Sequence, residues 1–516
     1  MSLLSIGMSG LNAAQGSLSV LSNNIANVNT PGYSRQQTTQ NANANNPYGG
    51  VFIGSGTTLA DVRRVYNEFL DQAYQNSTSL NNDAKAYSSQ ASAIDKTLSD
   101  KTTGMSSVLS AFFAAVQTSS ANPSDVSARQ VLLTSAQTLS NRFNSISNQL
   151  NQQKESINGQ LSTMSDQVNQ LTASIASLNK QITQVQGSSN SAPANLLDAR
   201  NEAVRSLNEL VGVTASEKNG VFSVSTGTGQ SLVLGDQSNT ISAVPSASDP
   251  SQYTIQLNAG GGTAIDLGNV LSGGSIGGLL RYRSDALMPA INDLGRIAIA
   301  TADTVNSQLG QGLDLNGDFG TSLFKDINSA AAIAQRSQGA AGNSVGSGNL
   351  NVSIKDSSKL STYDYKVTFT SGSNYTVMRS DGKAMGAFDT TTTPPPVIDG
   401  FTLALDGKGP VGAGDSFKVS PTANGATNIG TDLTDANKIA FAGPLLGEGS
   451  KTNQGTGTFT PPTLTLPIDI HGGADTAQLR TGIEHSMPVK MVFGKPAADG
   501  TQAYTCLLYT SPSPRD

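Results

Sequence analysis

LSNRFNSISNQLNQQKESINGQLSTMSDQVNQLTASIASLNKQITQV, residues 139–185, is the longest periodic stretch in the chain. Leu139, Phe143, Ile146, Leu150, Ile157, Leu161, Met164, Val168, Leu171, Ile175, Leu178, Ile182 and Val185 recur mostly in alternating steps of three and four. That spacing puts one apolar stripe along a helix. Between Ile157 and Val168 the spacing is eleven rather than seven, a stutter that locally unwinds a supercoil. No proline lies between Ser124 and Gly187. The pattern therefore predicts a helix of roughly 60 residues, roughly 90 Å long at 1.5 Å per residue. Such a helix makes a rod, which a compact enzyme domain seldom needs. NPSD (122–125) reads as a turn that can cap its start, and GSSNSAP (187–193) as its end. LLDARNEAVRSLNEL (196–210) reads as an antiparallel return helix.

A second apolar seam opens the chain. Leu4, Leu11, Leu18 and Ile25 fall seven apart, with Gly7, Ala14, Leu21 and Val28 between them. Ser, Asn and Gln flank this seam, so no charge pairs select a partner. A helix with one apolar stripe does not remain exposed; it packs in a bundle of its own chain or against another subunit. The seam ends in SNNIANVNTPGYSRQ (22–36). Asn suits the left-handed or capping conformations of a helix end, Pro31 pushes Thr30 extended, and Gly32 frees the chain to turn. Residues 37–65 read as extended and loop-rich. Helix returns from about Val65 to Asp100 with Phe69, Ala73, Leu80, Tyr87 and Ile94 on one side, and a short apolar helix spans 108–116.

Strand-like alternation follows the return helix in VGVTAS, GVFSVST, QSLVLG and QYTIQL. A helix over 285–309 carries Leu287, Ile291, Leu294, Ala298, Ala302 and Val305. Beyond a Gly/Ala/Ser-rich joint at 337–348, NLNVSI, DYKVTFT, NYTVMR, FTLALDG and DSFKVS read as one inserted β domain. The fold class is thus α+β, elongated and multidomain: a long coiled-coil-like helical rod with an inserted mainly-β outer domain. The expected divisions are an N-terminal axial helix and loop (1–65), a helical rod with a β-hairpin subregion (66–345), an outer β domain (346–500) and a tail (501–516).

Composition narrows the function classes. Charged residues make up 13% of the 516, against about 25% in ordinary globular chains. The net charge is −6 and no basic run occurs, which argues against nucleic-acid and anionic-membrane partners. One cysteine, Cys506, permits no intramolecular disulfide and no cysteine-based metal cluster. The N-terminus lacks the basic region of a secretory signal, and no apolar run reaches the 18 or so residues of a membrane span.

Catalytic chemistry finds little support. The two histidines, His471 and His485, lie in loop-like contexts, and no G-x-S-x-G elbow is present. Asp314-Leu-Asn316-Gly-Asp318 resembles the start of a calcium loop, yet Phe319 stands where that loop needs Gly and Lys325 where it needs Glu. It reads as a polar turn, as do AGGGT (259–263) and GSGT (54–57). Asp198, Arg200 and Glu202 read as a solvated charged helix face. No catalytic residue, cofactor or metal ligand is expected.

LSNNIANVNTPGYSRQ (21–36) closely resembles the N-terminal signature of the flagellar axial proteins, the rod, hook and hook-associated subunits. Its NTPGYSRQ form and the MSLLSIGMSGLNAAQ start are most similar to the hook-associated members. So are NLLDARNEAVRSLNELVGV (195–213), the block over 274–320, and GAGDSFKVSPT (412–422) with LTDANKIA downstream. The resemblance implies a non-enzymatic structural subunit that joins hook to filament. Subunits of that kind polymerise with themselves in a helical lattice, N- and C-terminal helices forming its inner tube. It implies as partners the hook protein, a second junction protein or the filament, and an export chaperone that binds the C-terminal region. It also implies an extracellular flagellar location, reached unfolded through the flagellar type III apparatus. The assembly seam would be Leu4, Leu11, Leu18, Leu21, Ile25 and Val28. The signature loop would be Asn23, Asn24, Asn27, Asn29, Thr30, Pro31, Gly32, Tyr33, Ser34 and Arg35. Another axial protein, a hook or rod subunit, is the alternative; a secreted adhesin or hydrolase with a coiled-coil stalk is a third. Members of the family end in a long amphipathic helix, whereas this chain ends MVFGKPAADGTQAYTCLLYTSPSPRD, with no heptad after about residue 450. A C-terminal truncation with a non-native tail is the expectation.

Overall fold

The computed structural model describes residues 3–48, 51–98, 104–189, 193–260, 262, 264–268, 270–449, 451, 464, 467–471, 473–486, 489–495, 498–499 and 501–508. Helix α1 (Leu3–Ala26) is followed by strands β1 (Gln36–Ala42), β2 (Asn46–Tyr48), β3 (Val51–Ile53) and β4 (Thr57–Arg64). Helices α2 (Glu68–Leu98), α3 (Met105–Ala121), α4 (Val126–Ser189) and α5 (Ala194–Leu210) come next. Strands β5 (Val213–Lys218), β6 (Val221–Thr226), β7 (Ser231–Leu234), β8 (Gln237–Ser238), β9 (Thr240–Pro245), β10 (Tyr253–Asn258) and β11 (Ile265–Asp266) precede α6 (Gly274–Tyr282). A π-helical turn, Arg283–Leu287, leads into α7 (Met288–Leu309), followed by α8 (Ala330–Gln335). The second β-rich run is β12 (Ser337–Gly339), β13 (Leu350–Ile354), β14 (Tyr365–Phe369), β15 (Asn374–Arg379), β16 (Ala384–Asp389), β17 (Phe401–Leu405) and β18 (Ser416–Val419). The chain continues through α9 (Gly425–Asn428), α10 (Ala474–Glu484), β19 (Val489–Phe493) and β20 (Tyr504–Leu508). The class is α+β and multidomain.

Residues 1–97, 149–290 and 340–342 form one compact unit, and residues 98–148, 291–339 and 343–516 a second. In the first, β1 and β4 pair antiparallel, β5–β8 make a four-stranded sheet and β9–β11 a three-stranded one. The stripe on α4 is buried at Leu150, Ile157, Leu161, Val168, Ile175 and Ile182. Beyond Leu161, however, the fully buried partners are Ser165, Thr172 and Asn179, while Met164, Leu171 and Leu178 are only half-buried. The eleven-residue spacing rotates the stripe by one position, so the expected seam is displaced toward small polar residues. Ser165 and Thr172 satisfy their hydroxyls on the backbone oxygens of Leu161 and Asn169.

Asparagines on α4 hold the sheets. Asn169 donates to Ile241 O and accepts from Ile241 N, both at 2.8 Å. Asn158 donates to Ser251 O and accepts from Tyr253 N, both at 3.0 Å, and Asn179 donates to Gly235 O at 2.7 Å. A carboxamide carries the donor and acceptor of a peptide, so it can stand in for a strand partner where the neighbour is a helix.

The second unit is built on a five-stranded antiparallel sheet in the order β12-β18-β14-β15-β16. Tyr365, Val367 and Phe369 of β14 alternate inward with period two. Phe369 meets Tyr375 and Phe417 with ring centroids 5.5 and 5.7 Å apart, and Tyr365 meets Phe401 of the β13–β17 pair at 4.9 Å. Asp125 caps α4, accepting from Ser127 N at 2.8 Å. Arg129, 1% exposed, donates to the Pro123, Ala436 and Ile439 carbonyls and stacks on Phe441.

Three readings change. On α2 the expected side holds at Ile94, which is buried, and at Tyr87, whose ring meets Tyr282 at 5.8 Å, but toward the N-terminal end Phe69, Ala73 and Leu80 are exposed and the polar Gln75 and Ser79 are buried instead. The helix expected over 285–309 begins eleven residues earlier, at Gly274. Glycines at 274, 277 and 278 mask it in the sequence, since each costs about 1 kcal/mol in a helix. Strand β9 adds a segment that the alternation did not reveal. Strands β19 and β20 pair across the division expected at residue 500, with β20 in the expected tail, and residues 509–516 lie outside the described residues. Of AGGGT, Gly261 and Thr263 also lie outside them. The Asp314 turn is a polar turn, its Oδ1 accepting from Asn316 N and Asp318 N.

Gly278 explains its own presence. A Cβ there would lie 2.2 Å from the backbone oxygen of Asp83 on α2, and Arg281 one turn on pairs with the Asp83 carboxylate. Gly278→Ala is expected to cost about 1–3 kcal/mol, as overpacking does. Gly159→Ala on α4, where nothing lies within 4 Å, is expected to be neutral or stabilising by up to about 1 kcal/mol. Calorimetric melts of both variants check the contrast.

Candidate assembly interface

The two faces of α1 have opposite fates. Ile6, Ser9, Ala13, Gly16, Ser17, Val20 and Asn24 turn toward the β1–β4 ribbon, and Ala13 is 3% exposed. Ser9 Oγ accepts from Thr57 N at 3.1 Å, and Ser17 Oγ lies 3.2 Å from Thr38 Oγ1. A Cβ on Gly16 would come within 3.1 Å of Leu59, so small residues set how closely helix and ribbon approach. The other face carries the heptad. Leu4 is 77% exposed, Leu11 61%, Leu18 63%, Leu21 52%, Ile25 66% and Val28 74%. These six side chains form one solvent-facing row that no contact among the described residues buries. Residues 3–26 contain no Asp, Glu, Lys or Arg.

The signature loop is a set of interlocking turns. Asn27 donates to Asn23 O and Oδ1, and Thr30 Oγ1 donates to Asn27 Oδ1. Tyr33 N donates to Thr30 O at 3.2 Å across Pro31 and Gly32, whose φ of +77° supplies the turn's left-handed corner. Asn24 brackets β1: its Oδ1 accepts from Gln36 N and Tyr33 OH at 2.9 and 2.8 Å, and its Nδ2 donates to Gln36 O at 2.9 Å. Asn23 Nδ2 donates to Tyr33 OH at 3.2 Å. Asn29, Pro31 and Arg35 are exposed, and Arg35 O accepts from Val65 N.

The loop stands on α5 through residues that the sequence did not single out as functional. Asp198 Oδ2 accepts from Ser34 N at 3.0 Å, and its Oδ1 pairs with Arg64 at the end of β4 at 2.7 Å. Asp198 and Arg200 are each 7% exposed, so the reading of 198–202 as a solvated face is wrong. Arg200 stacks on Phe222 with its guanidinium 3.7 Å from the ring centroid and donates to Asn179 Oδ1, and burial pushes its pKa down. Glu202 pairs with Arg205 and lies beside Gly32. The missed signal was spacing: Asp198 and Glu202 are four apart, on the helix face that meets the loop.

Loop, α2 and α5 enclose an open cleft of about 900 Å³, lined among others by Pro31, Tyr33, Leu70, Tyr74 and Arg205. Tyr66 on its rim donates to Asp71 at 2.9 Å; burial and that carboxylate push the phenol up to about 12. Phe69, Leu70, Tyr74 and Leu80 extend the exposed apolar surface along α2. Elsewhere His471 lies between carboxylates and His485 Nδ1 lies 2.8 Å from Thr481 O. No group of three or more His, Cys, Asp or Glu suited to a metal occurs among the described residues. Nor is any helix among them long and apolar enough to cross a membrane.

Three stretches of the chain match family models of flagellar proteins. Residues 91–324 match the family model of the flagellar hook-associated protein FlgK helical domain. Residues 4–33 match the flagella basal body rod protein model, and residues 339–421 the flagellar hook-associated protein 1 D2-like domain. Flagellar hook-associated protein 1 of Escherichia coli (strain K12) is 33% identical over 504 residues, covering 93% of this chain and 89% of that protein. Its counterpart in Salmonella typhimurium (strain LT2) is 34% identical over 451 residues, covering 86% and 79%. In the solved structure of the flagellar hook junction protein FlgK from Burkholderia pseudomallei, the TM-score is 0.70 at 30% identity, covering 86% of this chain and 78% of that one. With a matching internal helical domain, a matching outer domain and relatives aligned over most of their length, the chain belongs to the flagellar hook-associated protein 1 family.

Proposed function

We propose that this chain is a structural subunit of the bacterial flagellum that joins hook to filament by polymerising through α1. The observation that carries the reading is the divided helix: one face is satisfied by the chain's own ribbon, and six apolar side chains on the other are left in water. Covering a Leu, Ile or Val side chain is worth about 1.5–3 kcal/mol, so the row is a strong driving force for association. Helices of neighbouring copies are the occupants this reading assigns to it. The hydrogen-bonded loop 23–35 makes the adjoining lattice contacts, with the hook protein on one side and a second junction protein or the filament on the other. Export through the flagellar type III apparatus, with a chaperone on the C-terminal region, belongs to the same reading. A rod or hook subunit fits less well, because the internal match is to the hook-associated helical domain.

Leu11→Asp with Leu18→Asp is expected to abolish incorporation into filaments while leaving the melting profile unchanged, since neither side chain is buried. Swimming halos in cells lacking their own junction protein, beside melts of the purified chain, check it; normal motility refutes the seam. Asp198→Ala has the opposite signature. It strands Arg64 and Ser34 N, and is expected to cost roughly 3 kcal/mol, as breaking a buried ion pair does. Chemical denaturation and amide exchange of residues 30–36 measure that loss.

A further inference from the structure

In the second unit, residues 467–471 and α10 lie along the C-terminal end of α7, held by three polar attachments. Gln311 Nε2 donates to Ile468 O and Gln311 Oε1 accepts from Ile468 N, both at 2.7 Å. Arg480 donates to the carbonyls of Gly310 and Gly320 at 3.2 and 3.4 Å and lies over Phe319. His471 sits between two carboxylates: Nε2 is 3.0 Å from Asp303 Oδ1 on α7, and Nδ1 is 3.8 Å from Asp326 Oδ1. Beneath these, Ile468 is 2% exposed, and Ile470 fills the space that a side chain at Gly310 would occupy. We propose that residues 467–471 and 473–484 form a strap over the end of α7 whose hold depends on the charge of His471: docked while the ring is an imidazolium, loosened once it gives up a proton.

The geometry distinguishes the two protonation states. An imidazolium donates from Nε2 to Asp303 and turns a second N–H and its positive charge toward Asp326, whereas a neutral ring loses that charge and turns a lone pair toward one of the two. The other charges around the site are Asp469 on the strap itself and Asp356, paired with Lys359, beyond Asp303. The Asp303 hydrogen bond raises the His471 pKa above 6.5. For Asp303, burial is the largest influence and raises the pKa, but the hydrogen bonds from His471 and Ser357 and the His471 charge together outweigh it and the net shift is down. The histidine's contribution is therefore complete below pH 6.5 and is lost as pH rises through the raised value; the contribution of Asp303 is complete above its ordinary value of 3.8 and is lost as pH falls through its lowered value. The strap is tightest between those limits.

Hydrogen exchange of the full chain from pH 6 to 9, corrected for intrinsic rates, tests the device. Protection of the strap should fall about tenfold for each unit by which the His471 midpoint exceeds 6.5. That midpoint is read from the ring C–H resonance, with one other histidine, His485, to assign. His471→Gln should abolish the pH dependence, and Asp303→Asn should lower the midpoint while keeping the ring. His485→Gln should leave both unchanged. A His471 midpoint at or below 6.5, or an undiminished pH dependence in His471→Gln, overturns the proposal.

Discussion

The recurring attachment in this protein is a side-chain carboxamide bound in both directions to one residue's backbone. Asn24 holds Gln36, Asn169 holds Ile241, Asn306 holds Phe324, Asn328 holds Ile354, Asn343 holds Ser416 and Gln311 holds Ile468. Each bracket fixes a strand or loop to an element that has no free ladder of its own. Buried backbone groups must be satisfied somewhere, and a neutral amide does so without the desolvation cost of an ion. A chain in which only 13% of residues are charged can thus join helices to sheets along its whole length.

The same device separates what was legible in the sequence from what was not. The apolar stripe of α4 fixed its existence and length, because thirteen matching positions leave no rival period. Its direction was less legible. Past the stutter, Ser165, Thr172 and Asn179 lie inward, and a hydropathy pattern scores them as surface. Several of the asparagines serve as internal brackets, which a hydropathy pattern does not show. α6 was hidden for a related reason, since its glycines serve a close helix crossing and not helix propensity.

At the candidate interface, the heptad of α1 was readable and its outward direction was not, because a stripe does not say which face the chain itself will cover. Small residues at 9, 13, 16 and 17 line the face that meets the ribbon, but Gly7 and Ala14 on the heptad side are equally small, so size did not distinguish the faces. The loop's turns followed from Asn, Pro and Gly chemistry. Its mount on Asp198 is 164 residues away in sequence, and a lone carboxylate on a helix carries no local mark of such a partner.

The absence of charge from α1 has a physical consequence. Contacts made through this helix are driven by release of water from apolar surface, with no Coulombic component to be screened. Ionic strength, which weakens exposed ion pairs within a Debye length of about 10 Å at 0.1 M, leaves such contacts untouched or slightly strengthened. Cooling is the stress to which they are sensitive, because the hydrophobic driving force fades as temperature drops. A joint built on α1 would hold across fresh water and brine alike, and loosen first in the cold.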